Sequence, residues 1–215
     1  MKKNKLKLTP WMIVKRGHYF YFLYYWIYGL IHDYKLAGKS LNNTVFNKQK
    51  EAFPVQCISY PYLRELLKSV HFKKDEVFVD VGCAWGRLLG YLCSHTSIPN
   101  LIGVELNEEV ATCAKSIFKD EPRVTIISGD ILEELPENGT TFYLFNPFDE
   151  EVLKGFLDAV EKKIKHPVRI LYLHPTCRHV IEVESTSWNL TEEKKIKPRH
   201  LGALKLCVYE REEIG

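Results

Sequence analysis

Five short apolar runs, at residues 76–81, 101–105, 123–128, 141–146 and 168–173, recur along the chain, and helical periodicity fills 86–95, 107–119 and 150–164 between them. Runs this short suit strands buried on both faces, whereas apolar residues three and four apart mark helices with one buried side. Their alternation predicts parallel strands in one sheet with helices on both faces. The ending breaks the pattern. Beyond about residue 181, "IEVESTSWNLTEE" and "GALKLCVYEREE" read as two strands joined by "KKIKPRHL" with no helix between them, so they are expected to pair antiparallel. The expected fold is α/β: a doubly wound, mostly parallel sheet of seven strands closed by a C-terminal antiparallel hairpin.

A chain of 215 residues can bury one sizeable α/β core and carry an added arm. The expected division is an aromatic helical arm and loop at 1–52, in which 36–53 read as a connecting loop, followed by the α/β domain at 53–215. Another helix, at 59–70, precedes the first strand. A net charge of +3 and a pI of about 8.4 are only mildly basic, which argues against nucleic acid as the partner. The six cysteines are scattered and form no C-x-x-C, so they read as free thiols in a reducing, cytoplasmic compartment. His174, Cys177 and His179 lie close together, but no matching pair of ligands occurs elsewhere, and no metal site is expected.

In such sheets ligands bind at the carboxyl ends of the strands, near the point where strand order reverses. "VFVDVGCAWGRLLGYL", residues 77–92, supplies a turn of that kind: a strand carrying Asp80, then Gly82-Cys83-Ala84-Trp85-Gly86, then a helix. The two glycines allow a tight turn and close approach of backbone to ligand, and the helix start presents free N–H groups. The spacing matches neither the dinucleotide fingerprint G-x-G-x-x-G nor a phosphate loop ending in G-K-[ST]. Glu105 ends the next strand, where a carboxylate can accept both hydroxyls of a ribose. Asp130 follows the third strand, where it can accept an adenine amine. One acid per strand–helix unit would repel a polyphosphate and suits an adenosine bearing positive charge.

Residues 77–86, 102–106, 128–131 and 143–148 resemble the successive motifs of the class I S-adenosylmethionine-dependent methyltransferases, which have a Rossmann-like fold. Within that class the chain is most similar to a small branch with Asp-x-Gly-x-x-x-Gly-Arg and Phe-Asn-Pro-Phe, matched by Asp80 to Arg87 and by Phe145-Asn146-Pro147-Phe148. The resemblance covers roughly residues 53–175. It implies methyl transfer from S-adenosyl-L-methionine, with Asp80, Gly82, Cys83, Ala84, Gly86 and Arg87 around the methionine part of the cofactor. It also implies Glu105 and Leu106 at the ribose, Asp130 and Ile131 at the adenine, and Asn146 between cofactor and acceptor. Ala84 replaces the middle glycine of the commoner Gly-x-Gly-x-Gly, which is tolerable if its backbone angles are ordinary. Arg87 opposes the dipole of its helix and is expected to meet a carboxylate, that of the cofactor or of Asp80.

On the acceptor side, Asn146, Pro147 and Phe148 partly match the Asn/Asp-Pro-Pro-Phe/Tyr motif of amino-group methyltransferases. There an amide and a carbonyl grip the substrate nitrogen and the aromatic ring stacks on a base. His174, expected to end the fifth strand beside Asn146, is a candidate general base. The acceptor, a small molecule or a protein, is left open. Two other functions fit the same residues: an aminopropyl-type transferase, for which Asp149, Glu150 and Glu151 would be the polyamine's acids, and a cofactor-binding sensor or membrane-associated partner without catalysis.

The arm contains "GHYFYFLYYWIYGLI", residues 17–31, with no formal charge. It is too short and too hydroxylated to span a bilayer, and it lacks the h-region and cleavage site of a signal peptide. Wound as a helix, Tyr19, Phe22, Leu23, Trp26, Ile27 and Leu30 form one stripe, expected to pack on the domain. The tyrosine-rich side, Phe20, Tyr21, Tyr24, Tyr25 and Tyr28, would form the wet edge. The arm is expected to cover the mouth of the cofactor site. The alternative is peripheral membrane contact through residues 1–31, helped by Lys2, Lys3, Lys5 and Lys7.

Overall fold

The computed structural model describes residues 19–42, 57–185 and 187–213. Residues 1–18, with their lysines, and most of the connecting loop lie outside the described residues. The strands are β1 (Val77–Val81), β2 (Asn100–Glu105), β3 (Val124–Ser128), β4 (Thr141–Phe145), β5 (Val168–Leu173), β6 (Asn189–Ile196) and β7 (Leu204–Arg211), in the spatial order β3-β2-β1-β4-β5-β7-β6. β1 to β5 are mutually parallel; β7 runs antiparallel to both β5 and β6. Strand order reverses between β1 and β4, and this places a crevice at their carboxyl ends.

The helices are α1 (Tyr19–Ala37), α2 (Tyr60–Ser69), α3 (Arg87–His95), α4 (Glu108–Ile117) and α5 (Glu150–Lys163). Because side chains alternate along a strand, β1 sends Phe78 to one face and Val79 and Val81 to the other. Phe78 joins Leu63 and Leu66 of α2, Leu89 and Leu92 of α3 and Ala111 of α4 in one buried cluster. Val79 and Val81 join Leu153, Phe156 and Val160 of α5 in the second. Asn107 and Asp149 start α4 and α5 by accepting the N–H groups of Val110 and Val152. At the other end of α5, buried Arg211 donates to the carbonyls of Ile164 and His166 at 2.9 and 3.0 Å.

Two expectations need correction. The segment from 181 does not begin a strand: Val180–Glu184 form one π-helical turn, and β6 starts at Asn189. Adjacent Val180 and Ile181 are both buried, and Arg178 reaches Glu182 at 2.7 Å, a pair four residues apart that a helical turn closes and an extended strand does not. Lys194, Lys195 and Ile196, expected in the connection, complete β6, whose charged residues occupy the sheet edge.

The second correction concerns α1, which is turned about its axis from the expected orientation. Leu23, Trp26 and Ile27 of the apolar stripe are exposed and Leu30 is half-buried. On the tyrosine-rich side Phe20, Tyr21 and Tyr24 are exposed as expected, but Tyr25 and Tyr28 are half-buried, as is His32, and Asp33 is fully buried. Polar contacts decide the orientation. Tyr25 Oη donates to the carbonyl of Arg199 at 2.9 Å, and Tyr28 packs edge-on against Tyr60 of α2. Leu36 fills the space above Gly90 of α3, where an added Cβ would lie 2.5 Å from its Cδ1.

Candidate functional site

The turn after β1 is held from below. The N–H groups of Gly82 and Cys83 both donate to the carbonyl of Val104 in β2, at 2.9 and 3.1 Å. Gly82, Ala84 and Gly86 all have positive φ, of 76°, 52° and 79°. Gly86 is the N-cap of α3, and a Cβ there would sit 2.4 Å from the Phe118 ring, so only glycine fits. Ala84 does not have the ordinary angles expected of it. Its left-handed backbone costs about 1–2 kcal/mol, offset in part by its N–H, which donates to Glu105 Oε2 at 2.9 Å.

Of the predicted cofactor residues, Gly82 is exposed at the crevice and Leu106 and Asp130 are half-buried beside it. Asp80, Cys83, Ala84, Gly86, Arg87, Glu105 and Ile131 are buried. The Cys83 thiol faces Gly103 of β2, so this residue offers the crevice its backbone rather than its side chain. Glu105 accepts the N–H of Ala84 through one oxygen and that of Asn107 through the other, both at 2.9 Å. Each oxygen keeps a lone-pair direction for a further donor. Asp130 accepts the Leu132 N–H at 2.9 Å.

Arg87 is placed elsewhere. Its Nε and Nη2 donate to the two carboxylate oxygens of Asp33 at 3.0 and 2.7 Å, and Nη1 donates to the carbonyl of Ile58. Tyr60 Oη and the Leu41 N–H complete the shell around Asp33, each at 2.9 Å. The carboxylate expected at Arg87 is therefore that of the arm, not of Asp80. Sequence reasoning missed this hub, because Asp33 is 54 residues away and carries no motif. Beyond α1, Leu41 packs with Ala84, Trp85 and Val110, so the end of the arm lies against the glycine turn.

The acids of the crevice have no such guanidinium. Among the described residues, the Asp80 side chain makes no ion pair or hydrogen bond. Burial first, and then the neighbouring charge of Glu105, push its carboxyl up to about 8. Burial also raises Glu105, against the hydrogen bonds from Asn107 and Ala84. Tyr143 is the register partner of Asp80 on β4; its buried hydroxyl has no partner among the described residues, and burial together with the Asp80 charge holds the phenol well above its ordinary range.

Asn146 directly follows β4 and has φ 47°. Its Oδ1 accepts from Tyr172 Oη at 3.3 Å and from Thr176 Oγ1, and among the described residues its amide N–H groups have no partner. Neither partner was anticipated, although both belong to the strand and loop that carry His174. His174 is half-buried with φ 55°, and its own N–H is taken by the carbonyl of Lys205 at 2.7 Å. Pro147 is half-buried and would lie 3.3 Å from a Cβ at Gly82, so the two turns meet. Phe148 differs from expectation: its ring is buried against Phe156 with centroids 6.0 Å apart, so here it anchors the turn and has no face free for stacking. No group of three or more His, Cys, Asp or Glu side chains suited to a metal occurs among the described residues.

Residues 63–167 match the model of a family described as FtsJ-like methyltransferase. No curated protein matches the chain in sequence. Among solved structures the chain is similar to the m1A22 tRNA methyltransferase TrmK of B. subtilis, with a TM-score of 0.58 and 15% identity over 73% of this chain and 68% of that one. It is also similar to a protein in the NADB-Rossmann superfamily from Streptococcus agalactiae, with a TM-score of 0.55 and 12% identity over 74% and 71% of the two chains. The fold is Rossmann-like. A third similar structure is the mitomycin 7-O-methyltransferase MmcR, with a TM-score of 0.56 and 14% identity over 70% of this chain and 53%, about half, of that one. At such identities the likeness establishes the fold; together with the family match it supports a methyltransferase. The names of two of these neighbours, one a tRNA enzyme and one a mitomycin enzyme, show how little this fold says about the acceptor.

Proposed function

We propose that the chain is an S-adenosyl-L-methionine-dependent methyltransferase. The observation that carries this reading is the extent of the family match. Residues 63–167 contain the glycine turn, all three strand-end acids and the Asn146 turn. The residues fit the cofactor. A turn free of side chains at Gly82 and, among the described residues, a buried carboxyl without a cation at Asp80 and an unpartnered hydroxyl at Tyr143 suit a ligand with an ammonium group and a sulfonium. Bound there, the cofactor would supply a methyl group already activated by its sulfur.

The chain's own task is then to bind, orient and exclude water. Glu105 and Asp130 would accept hydrogen bonds from the ribose hydroxyls and the adenine amine. Asn146, its carbonyl fixed by Tyr172 and Thr176, would aim its amide at the acceptor, and His174 would take the acceptor's proton where one must leave. The aminopropyl-transferase alternative loses support, because its acids have other employment: Asp149 caps α5, Glu150 lies 3.5 Å from His179 Nε2, and Glu151 sits in the first turn of the helix.

Titration calorimetry with S-adenosylhomocysteine tests the reading. Binding is expected, together with a rise in melting temperature by mass action. Asp130→Asn should weaken binding by about 1.5–3 kcal/mol, as for one lost hydrogen bond to a charged group, with the fold intact. Absence of binding at millimolar ligand would overturn the proposal.

A further inference from the structure

A surface helix of a folded domain ordinarily turns charged residues outward. The outward side of α1 carries Phe20, Leu23, Tyr24, Trp26, Ile27 and Tyr34, with Phe20 85%, Trp26 50% and Tyr34 60% exposed. Among the described residues, all the exposed large apolar side chains except Val183 and Leu190 lie on this helix. Of its exposed side chains only Lys35, near the C-terminal end, bears a charge. The inward side is fully engaged through Tyr25, Tyr28 and Asp33, so rotation about the helix axis cannot bury the outward one without breaking the Asp33–Arg87 pair.

We propose that this outward face docks on an anionic membrane surface, with α1 lying in the plane of the interface. Three observations select this occupant. Tryptophan and tyrosine favour the boundary between headgroups and hydrocarbon, and here they alternate with leucine, isoleucine and phenylalanine on one side of one helix. No described helix is long and apolar enough to cross a bilayer, which leaves contact in the plane. The charge is complementary: the sequence preceding the helix holds Lys2, Lys3, Lys5, Lys7, Lys15 and Arg16, and the first acid of the chain is Asp33, on the buried side. Apolar insertion and a polybasic segment are the two signals that together hold a protein at an anionic surface. A second copy of the chain fits less well, since the same helix of that copy offers these cations a single acid, the buried Asp33.

The proposal is independent of the methyl-transfer reading and is tested without it. The full chain is sedimented with vesicles of phosphatidylcholine, either alone or with about a third phosphatidylserine, at physiological salt. The wild type is expected to pellet with the anionic vesicles, less with neutral ones, and less again as salt is raised. A Phe20→Ser, Trp26→Ser, Ile27→Ser variant, changed only at exposed positions, should keep its melting temperature and lose roughly tenfold or more of its partitioning. Three results would overturn the proposal. One is wild type that stays in the supernatant, and another is partitioning untouched by the triple change. The third is wild type that sediments as a dimer without binding vesicles while the variant is monomeric.

Discussion

Two buried carboxylates lie on the same side of the sheet and are treated in opposite ways. Asp33 is 0% exposed and accepts from the guanidinium of Arg87, the hydroxyl of Tyr60 and the N–H of Leu41. Asp80 is 4% exposed and, among the described residues, has neither cation nor hydrogen-bond donor. A buried charge is tolerated only with partners. Asp33 has them within the chain, so it belongs to the architecture. Asp80 has none among the described residues, and burial together with the charge of Glu105 raises its carboxyl instead.

The largest effect expected from this contrast is on stability. Asp33→Ala leaves the Arg87 guanidinium buried without its counter-charge and should cost about 3–5 kcal/mol, measured as the shift of the urea midpoint at constant slope. Asp80→Asn removes no partner and should change stability far less. Equal losses from the two variants would erase the distinction.

A second test uses pH. The Asp80 carboxyl is raised from 3.8 to about 8 by the fold, so the folded chain holds one proton more than the unfolded chain between those values. Its contribution is fully present below about pH 4 and is lost as pH rises through about 8. Wild type should therefore lose stability relative to Asp80→Asn between pH 5 and pH 8, a window set by that shift. Parallel curves would show that the carboxyl is already ionised. Binding of S-adenosylhomocysteine near pH 7 should likewise expel this proton, seen as a binding heat that changes with the ionisation enthalpy of the buffer.

On the acceptor side the expected effect is kinetic. Thr176→Val removes a donor to Asn146 Oδ1 without touching the glycine turn. It should lower turnover about tenfold, as expected for one misdirected positioning group, with cofactor affinity unchanged. A loss of affinity instead would move Asn146 to the cofactor side.

The sheet was readable in the sequence because β1, β2, β4 and β5 are largely buried on both faces, which leaves continuous apolar runs. The placement of Asp80, Glu105 and Asp130 at or just beyond the carboxyl ends of β1, β2 and β3 was readable from the same runs. What escaped depended on distant contacts. The apolar stripe of α1 was expected to face inward on hydrophobicity alone, but the side that docks is chosen by Asp33 meeting Arg87 and Tyr25 meeting Arg199, 174 residues away. Thr176 and Tyr172 reach Asn146 only because β5 lies beside β4.

The smallest expected effect separates strain from function at the turn itself. Ala84 occupies a left-handed conformation that glycine reaches at no steric cost, and its side chain is buried against Leu41, Trp85 and Val110. Ala84→Gly relieves about 1–2 kcal/mol of backbone strain, but it adds freedom to the unfolded chain worth about 0.4–1 kcal/mol and removes one buried methyl worth about 0.8 kcal/mol. These terms nearly cancel, so stability should change by less than about 1 kcal/mol. The N–H that reaches Glu105 is retained in the variant, so S-adenosylhomocysteine affinity should hold within about threefold, less than 1 kcal/mol. A loss of tenfold or more with stability unchanged would mean that the methyl of Ala84 stiffens the turn into the shape the ligand needs. Ala84 would then count with the crevice rather than with the packing of the arm.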